Sequence, residues 1–181
     1  MTQERRTVTS PEALKALAHP LRLRIVRHLG VHGPATSTTL ASALGENTGT
    51  LSYHLRMLER GGLIEDIPER SAGRERWWRG VRGLDIRRPP EEEMTPAEQA
   101  VADELGRMRL EEDIQLARRF TEQGEPGWMR GSRGLSHLTK EQLDAFHDDY
   151  LELLARYAYG PEDAEPGARP VLLRWFGLPA D

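Results

Sequence analysis

Apolar residues recur at helical spacing along most of the chain. Ser10-Pro11-Glu12-Ala13 reads as a helix start, with Pro at the first helical position. Leu14, Leu17 and Ala18 supply its apolar stripe. His19-Pro20 interrupts the pattern, and Leu21, Ile25, Val26 and Leu29 resume it. Arg22, Arg24 and Arg27 fall mostly off that stripe. A short helix over Ser37–Leu44 turns Leu40, Ala41 and Leu44 inward. Gly45-Glu46-Asn47 is a turn, because Gly accepts left-handed angles and Asn is a good N-cap. The next helix covers Thr48–Arg60, with Leu51, Leu55 and Leu58 on one face and Gly61-Gly62 closing it. Residues 1–10 are polar and read as frayed.

The period then shortens. Residues 63–67 form a short extended run stopped by Pro68, and residues 74–79 combine strand-favouring aromatics with charges. Together they predict a hairpin with a basic tip. Residues 87–93, Arg-Arg-Pro-Pro followed by three Glu, have linker composition. Beyond them, Thr95-Pro96-Ala97-Glu98 is a capping box that opens a helix reaching about residue 123. Its apolar stripe runs through Val101, Leu105 and Met108, then shifts to Leu110, Ile114, Ala117 and Phe120, which predicts a kink or a change of partner near Gly106. A second capping box, Thr139 to Gln142, opens a helix to about residue 159. Its apolar face holds Leu143, Phe146, Tyr150, Leu153, Leu154 and Tyr157. Residues 171–176 are a short apolar run that suits a strand.

Charge alters this picture. The 181 residues carry a net charge of −4, which read alone argues against a nucleic-acid partner. Residues 1–90, however, hold 15 Lys and Arg against 9 Asp and Glu, a net +6, while residues 91–181 hold 10 against 20, a net −10. That split, at the composition break near residue 90, predicts a basic binding module over 1–90 and an acidic helical partner region over 91–181. The acidic half is expected to face away from DNA. The chain has no Cys, which removes disulfides, thiolate zinc sites and Cys nucleophiles. No stretch approaches the ~20 apolar residues of a membrane span, so a soluble cytoplasmic protein with no membrane partner is the expectation.

Residues 35–79 follow the order helix, Gly turn, capped helix, hairpin. That is the order of a winged helix-turn-helix, in which the second helix enters the major groove and its outward side chains meet base edges. The positions off the Leu51, Leu55 and Leu58 stripe are Thr48, Gly49, Thr50, Ser52, Tyr53, His54 and Arg56. They are small and polar near the N-terminus and cationic further on. Arg56 suits a guanine or a phosphate. Arg70, Arg74 and Arg76 would set the wing against the DNA backbone or minor groove. Periodicity alone is met equally well by an ordinary solvated amphipathic helix.

Two motifs sharpen the choice. Ala18-His19-Pro20-Leu21-Arg22-Leu23-Arg24-Ile25 resembles the opening signature of ArsR-type winged-helix transcriptional regulators. Residues 49–64, from Gly49-Thr50-Leu51-Ser52-Tyr53-His54-Leu55-Arg56 to Gly61-Gly62-Leu63-Ile64, are similar to that family's recognition helix and first wing strand. Arg74-Glu75-Arg76-Trp77-Trp78 resembles the second wing strand. The resemblance covers residues 11–80. It implies a mainly α fold with a small β-hairpin wing, and a homodimer acting on double-stranded DNA at a palindromic operator, with repression as the family expectation. It also implies DNA contacts at Thr48, Gly49, Ser52, Tyr53 and His54.

The departures bear on the acidic half, which is read as a helical dimerisation region with room for a small-molecule effector. Many members of the family sense metal through cysteines, which this chain lacks. His137, Asp144, His147, Asp148 and Glu152 are the remaining ligand candidates. Packing of His147 beside Phe146 accounts for them more simply, so neither metal nor cofactor is assigned. Trp128, Trp175 and Phe176 suit either a pocket wall or a core cap. Nucleotide-binding glycine loops and nucleophile elbows do not occur, so no enzymatic activity is assigned. A metal- or ligand-responsive sensor in the second half and an adaptor that has lost DNA binding are the competing readings.

Overall fold

The computed structural model describes residues 6–70, 75–81, 84–123, 127, 128, 130, 131, 134–158 and 160–180. Strand β1 (Arg6–Val8) leads into helix α1 (Pro11–Leu17) and helix α2 (Pro20–His32). Ser10 Oγ accepts from the Ala13 N–H at 3.2 Å and starts α1. His19 breaks the chain from α1 and restarts it as α2. Its ring Nδ1 accepts from the Leu21 N–H at 3.1 Å, so a histidine does the work of an Asn or Ser cap.

Strand β2 (Ala35–Thr36) precedes helix α3 (Ser37–Leu44) and helix α4 (Thr48–Arg60), and both helices keep the bounds read from the sequence. Thr36 Oγ1 accepts from the Thr39 N–H at 3.2 Å to cap α3. Gly45, at φ 68°, turns the chain through the left-handed region between the helices. Asn47 Oδ1 accepts from the Thr50 N–H at 2.8 Å to cap α4.

Strands β3 (Ile64–Asp66) and β4 (Trp77–Gly80) are antiparallel, with Glu65 opposite Arg79. Strand β2 adds to the free edge of β4, pairing Ala35 with Trp78, so the wing is a three-stranded sheet in the order β2-β4-β3. Strand β5 (Leu84–Ile86) pairs in parallel with β1. The expectation of a frayed N-terminus therefore fails from Arg6 onward. Val8 packs against the core, and its carbonyl accepts from the Arg87 N–H at 3.0 Å.

Leu17, Ile25, Leu40, Leu51, Leu55, Leu58, Leu63 and Ile64 are almost wholly buried in one cluster. Each such side chain contributes roughly 1.5–3 kcal/mol relative to exposure. Gly61, at the end of α4, passes so close to α1 that an added Cβ would stand 2.7 Å from the Ala16 Cβ. Helix α5 (Pro96–Gln123) starts at the expected capping box: the Thr95 N–H donates to Glu98 Oε2 at 2.9 Å, and the Glu98 N–H donates to Thr95 Oγ1 at 3.3 Å. Met94, Ala102 and Leu105 join the same core and lie against α1, whereas Leu110 and Ile114 are exposed. The shift of the apolar stripe thus marks where one continuous helix leaves the core.

Helix α6 (Lys140–Arg156) begins at the Thr139 capping box and buries none of its side chains fully. Residues 171–176 form no strand. Their apolar side chains find no strand partner, and Trp175 lies across α6 instead, with ring centroids 5.2 Å from Phe146 and 5.9 Å from Tyr150. Among the described residues no helix is long and apolar enough to cross a membrane.

Candidate nucleic-acid interface

Helix α4 sits on the core through Leu51, Leu55 and Leu58 and turns its other side outward. Thr48 and Gly49 are exposed at its N-terminus, and Thr50 and Ser52 are half-buried. The Ser52 hydroxyl donates to the Thr48 carbonyl at 2.8 Å, which fixes its rotamer. Tyr53 is 57% exposed, unusual for an aromatic in a helix that is otherwise well seated. Arg56 is exposed and has no hydrogen bond or ion pair among the described residues.

His54 departs from the expectation. It is 7% exposed and points into the body of the domain, its ring centroid 4.4 Å from that of His19. Residue 54 lies three positions after Leu51 and four before Leu58, so it belongs to the buried stripe by position, whatever its polarity. It cannot reach a base from there. Its place is structural: it joins α4 to the His19 cap of α2. Arg22 closes the same cluster. It is buried, and its Nη2 donates to the Lys15 carbonyl at 2.8 Å.

Burial lowers the pKa of His54, and the nearby His19 and Arg22 lower it further against an opposing pull from Glu46. Burial likewise lowers His19, with Arg22 adding to the effect, and lowers His28 beside His32. The unfolded chain therefore binds more protons than the native one just below pH ~6.5. Stability is complete above that value and falls as pH drops through the lowered native values. The urea midpoint is expected to be lower at pH 5.5 than at pH 7.5, with a smaller drop in His54→Phe; an equal drop in both would exclude His54 as a source. Glu98 does not confuse this window. The Thr95 hydrogen bonds hold its carboxyl at about 2, so its contribution is lost only at far lower pH.

The wing arginines differ from one another. Arg76 Nε donates to Asp66 Oδ2 at 2.9 Å and its Nη2 donates to Glu59 Oε1 at 2.7 Å, while its guanidinium lies 4.1 Å from the centre of the Trp78 ring. Those hydrogen bonds raise its pKa, that to Glu59 most. Arg76 therefore braces the wing against α4 and does not reach outward as expected. Trp78 is buried beneath it, and Trp77, on the other face, is half-buried under Arg70 at 5.9 Å. Arg74 lies outside the described residues. Arg79 is a further arginine of the wing that the sequence motifs do not single out. It is exposed on β4, and its Nε donates to Glu65 Oε1 at 2.6 Å across the hairpin. Its signal was its position one residue after the buried Trp78, on the outward side of the alternation.

Two adjoining helices joined by a glycine turn, the second capped and outward-facing, stand next to a basic hairpin. Residues 17–67 match the family model described as helix-turn-helix domain. With its wing, this stretch has a winged helix-turn-helix architecture, in line with the resemblance of its motifs to those of ArsR-type regulators. The chain is also similar to the homodimeric winged helix-turn-helix DNA-binding domain of a possible ArsR-family transcriptional regulator from Mycobacterium bovis, at 27% identity over 56% of this chain and 76% of that one, with a TM-score of 0.36. It is similar to Rv0081 from Mycobacterium tuberculosis at 23% identity over 63% of this chain and 91% of that one, TM-score 0.34. Transcriptional regulator Tm0710 from Thermotoga maritima aligns at 17% identity over 80% of this chain and 82% of that one, TM-score 0.34. No curated protein matches the sequence.

The acidic half does not stand clear of the helix-turn-helix domain. Arg70 Nη2 donates to Glu162 Oε1 at 2.8 Å, which ties the start of the wing loop to the segment after α6. Lys15 pairs with Glu98 at 3.2 Å, Arg88 with Asp103 at 2.5 Å and Arg87 with Asp148 at 2.6 Å. Among the described residues no group of three His, Asp or Glu converges as a metal site, and His147 stacks on Trp175 at 5.6 Å between ring centroids.

Proposed function

We propose that the chain is a homodimeric transcriptional repressor that reads a palindromic operator with α4 and steadies itself on the DNA backbone with the wing. The observation that carries this reading is the outward face of α4. Tyr53 and Arg56 project from a helix whose cap, turn and buried stripe hold it rigidly, and Thr48, Gly49, Thr50 and Ser52 leave room at its N-terminus for a base edge or phosphate to approach. Arg70 and Arg74 are assigned to the phosphate backbone beside it. Residues 1–90 form the DNA-reading unit and residues 91–181 the extension, although the first turns of α5 pack into the reader's core. Occupying the operator blocks polymerase.

The decisive measurement is fluorescence anisotropy of a labelled duplex from upstream of the protein's own gene, titrated over a range of salt. Binding is expected to exceed that of unrelated duplex and to weaken steeply with salt, because each neutralised phosphate releases counterions and contributes a slope of about −0.9. Equal affinity for both duplexes, or a flat salt response, would sink the proposal and favour the adaptor reading.

Dimerisation is assigned to α5 beyond the core together with α6. Leu110 and Ile114 lie one turn apart on α5, and Leu153 lies on α6; all are exposed in the single chain. In sedimentation equilibrium the wild-type chain is expected to be a dimer. Leu110→Asp with Ile114→Asp is expected to weaken association by at least about tenfold, because two carboxylates would be buried without partners. A monomeric wild type, or an undisturbed double variant, contradicts this assignment.

A small-molecule effector is part of the proposal. It is favoured by a cavity of about 1380 Å³ between α2, α5 and the segment after α6, which places one wall on the helix-turn-helix domain and another on the extension.

A further inference from the structure

The cavity is larger than the ~300–1,000 Å³ common for drug-sized ligands, so it suits a long or multi-ring apolar body. Val26 on α2, Leu116 on α5 and Val171 on the tail segment provide apolar walls. Arg109 enters from α5, one turn before Asp113. Asp113 is already engaged, since its Oδ1 accepts from Arg174 Nε at 2.7 Å. Arg109 itself has no hydrogen bond or ion pair among the described residues. Burial lowers its pKa, and the charge of Arg174 lowers it further, against the pull of Asp113 and Glu112. A largely desolvated guanidinium without a hydrogen-bonded partner is costly, and a bidentate carboxylate would relieve that cost. Glu112 and Asp113 line the same wall and disfavour a doubly charged group such as a phosphate monoester. Arg27 also borders the cavity, but it is exposed to solvent.

We propose that this cavity binds an amphipathic monocarboxylic acid, with its apolar body against Val26, Leu116 and Val171 and its carboxylate on the Arg109 guanidinium. This deepens the effector reading and rests on it only for its regulatory meaning. The cavity wall includes Pro161 and Asp163, which flank the Glu162 that holds Arg70. An occupant seated against that wall favours the arrangement in which the wing arginine is already neutralised, so the acid would act by weakening DNA binding.

The test is calorimetric titration of the full chain, without DNA, using decanoate and 1-decanol as probes. Decanoate is expected to bind saturably at one per protomer and more tightly than decanol. Arg109→Met, which keeps the apolar stem, is expected to weaken decanoate by about tenfold or more and leave decanol within about twofold. Leu116→Trp, which fills the apolar end, should weaken both, and it carries the test if Arg109→Met does not fold. A wild-type chain that takes up no decanoate, or binds decanol as tightly, overturns the proposal. So does undiminished decanoate binding in either folded variant. Because no DNA is present, failure here leaves operator binding standing, and operator binding can fail while this titration succeeds.

Discussion

Trp78→Ala is expected to lower the free energy of unfolding by about 3–5 kcal/mol, the range for truncating a large buried aromatic. Trp78 is 4% exposed and lies on the central strand of the wing sheet, opposite Ala35 on one side and Asp66 on the other. With Ile64 of β3, it joins the hairpin to the Leu-rich core. Its ring also carries the Arg76 guanidinium, which ties β3 to the end of α4. Removing the indole leaves a void in the core and a paired arginine above it with nothing to stack on. Urea denaturation followed by circular dichroism measures the loss. A change below about 1 kcal/mol would mean that the wing is only loosely attached and that its basic tip is not presented by a rigid base.

The second large effect concerns recognition. Tyr53→Ala and Arg56→Ala are each expected to reduce operator affinity by about 10–100-fold, the equivalent of about 1–3 kcal/mol for a side chain that reads a base. Both side chains are exposed, so stability should change by no more than about 0.5 kcal/mol. The two positions can be told apart. If Arg56 meets a phosphate, its loss weakens specific and non-specific binding alike and reduces the salt slope by about one. If it meets a guanine, specific binding alone suffers. Tyr53 carries no charge, so its removal should leave the salt slope intact. Unchanged affinity in both variants would remove α4 as the reading helix.

Most of the reading domain was legible because local signals agreed. Asn47, Gly45 and the Leu51, Leu55 and Leu58 stripe specify the same helix, and the bounds of α3 and α4 follow from them. The shift of the stripe along α5 marked correctly that its neighbours change near Gly106. The misses have two physical sources. One is pairing between distant residues: nothing local to Arg6–Val8 says that it meets Leu84–Ile86, and nothing in Ala35–Thr36 says that it extends the wing. The other is residue type overriding position. His54 and Arg76 are polar, and polarity alone puts them facing DNA. Yet His54 sits on the buried side of α4, and Arg76 stands within reach of Glu59, Asp66 and Trp78 at once. For polar residues near an interface, position predicts orientation better than chemistry does.

On the proposed reading, the bridge between Arg70 and Glu162 gives the acidic half a part in binding that its net charge alone does not suggest. A carboxylate resting on a wing arginine does the job that a dissolved anion would otherwise do, and it is tethered where dilution cannot remove it. When DNA arrives, its phosphate displaces that carboxylate and sheds its own condensed cation, while the arginine has no bound anion of its own to release. The salt dependence therefore still counts the phosphates engaged, and the broken Arg70–Glu162 pair is subtracted from the affinity. Affinity would then depend both on the ionic strength around the molecule and on whatever holds residues 160–165 in place. In this way a chain with a surplus of negative charge can keep a DNA-binding face in reserve.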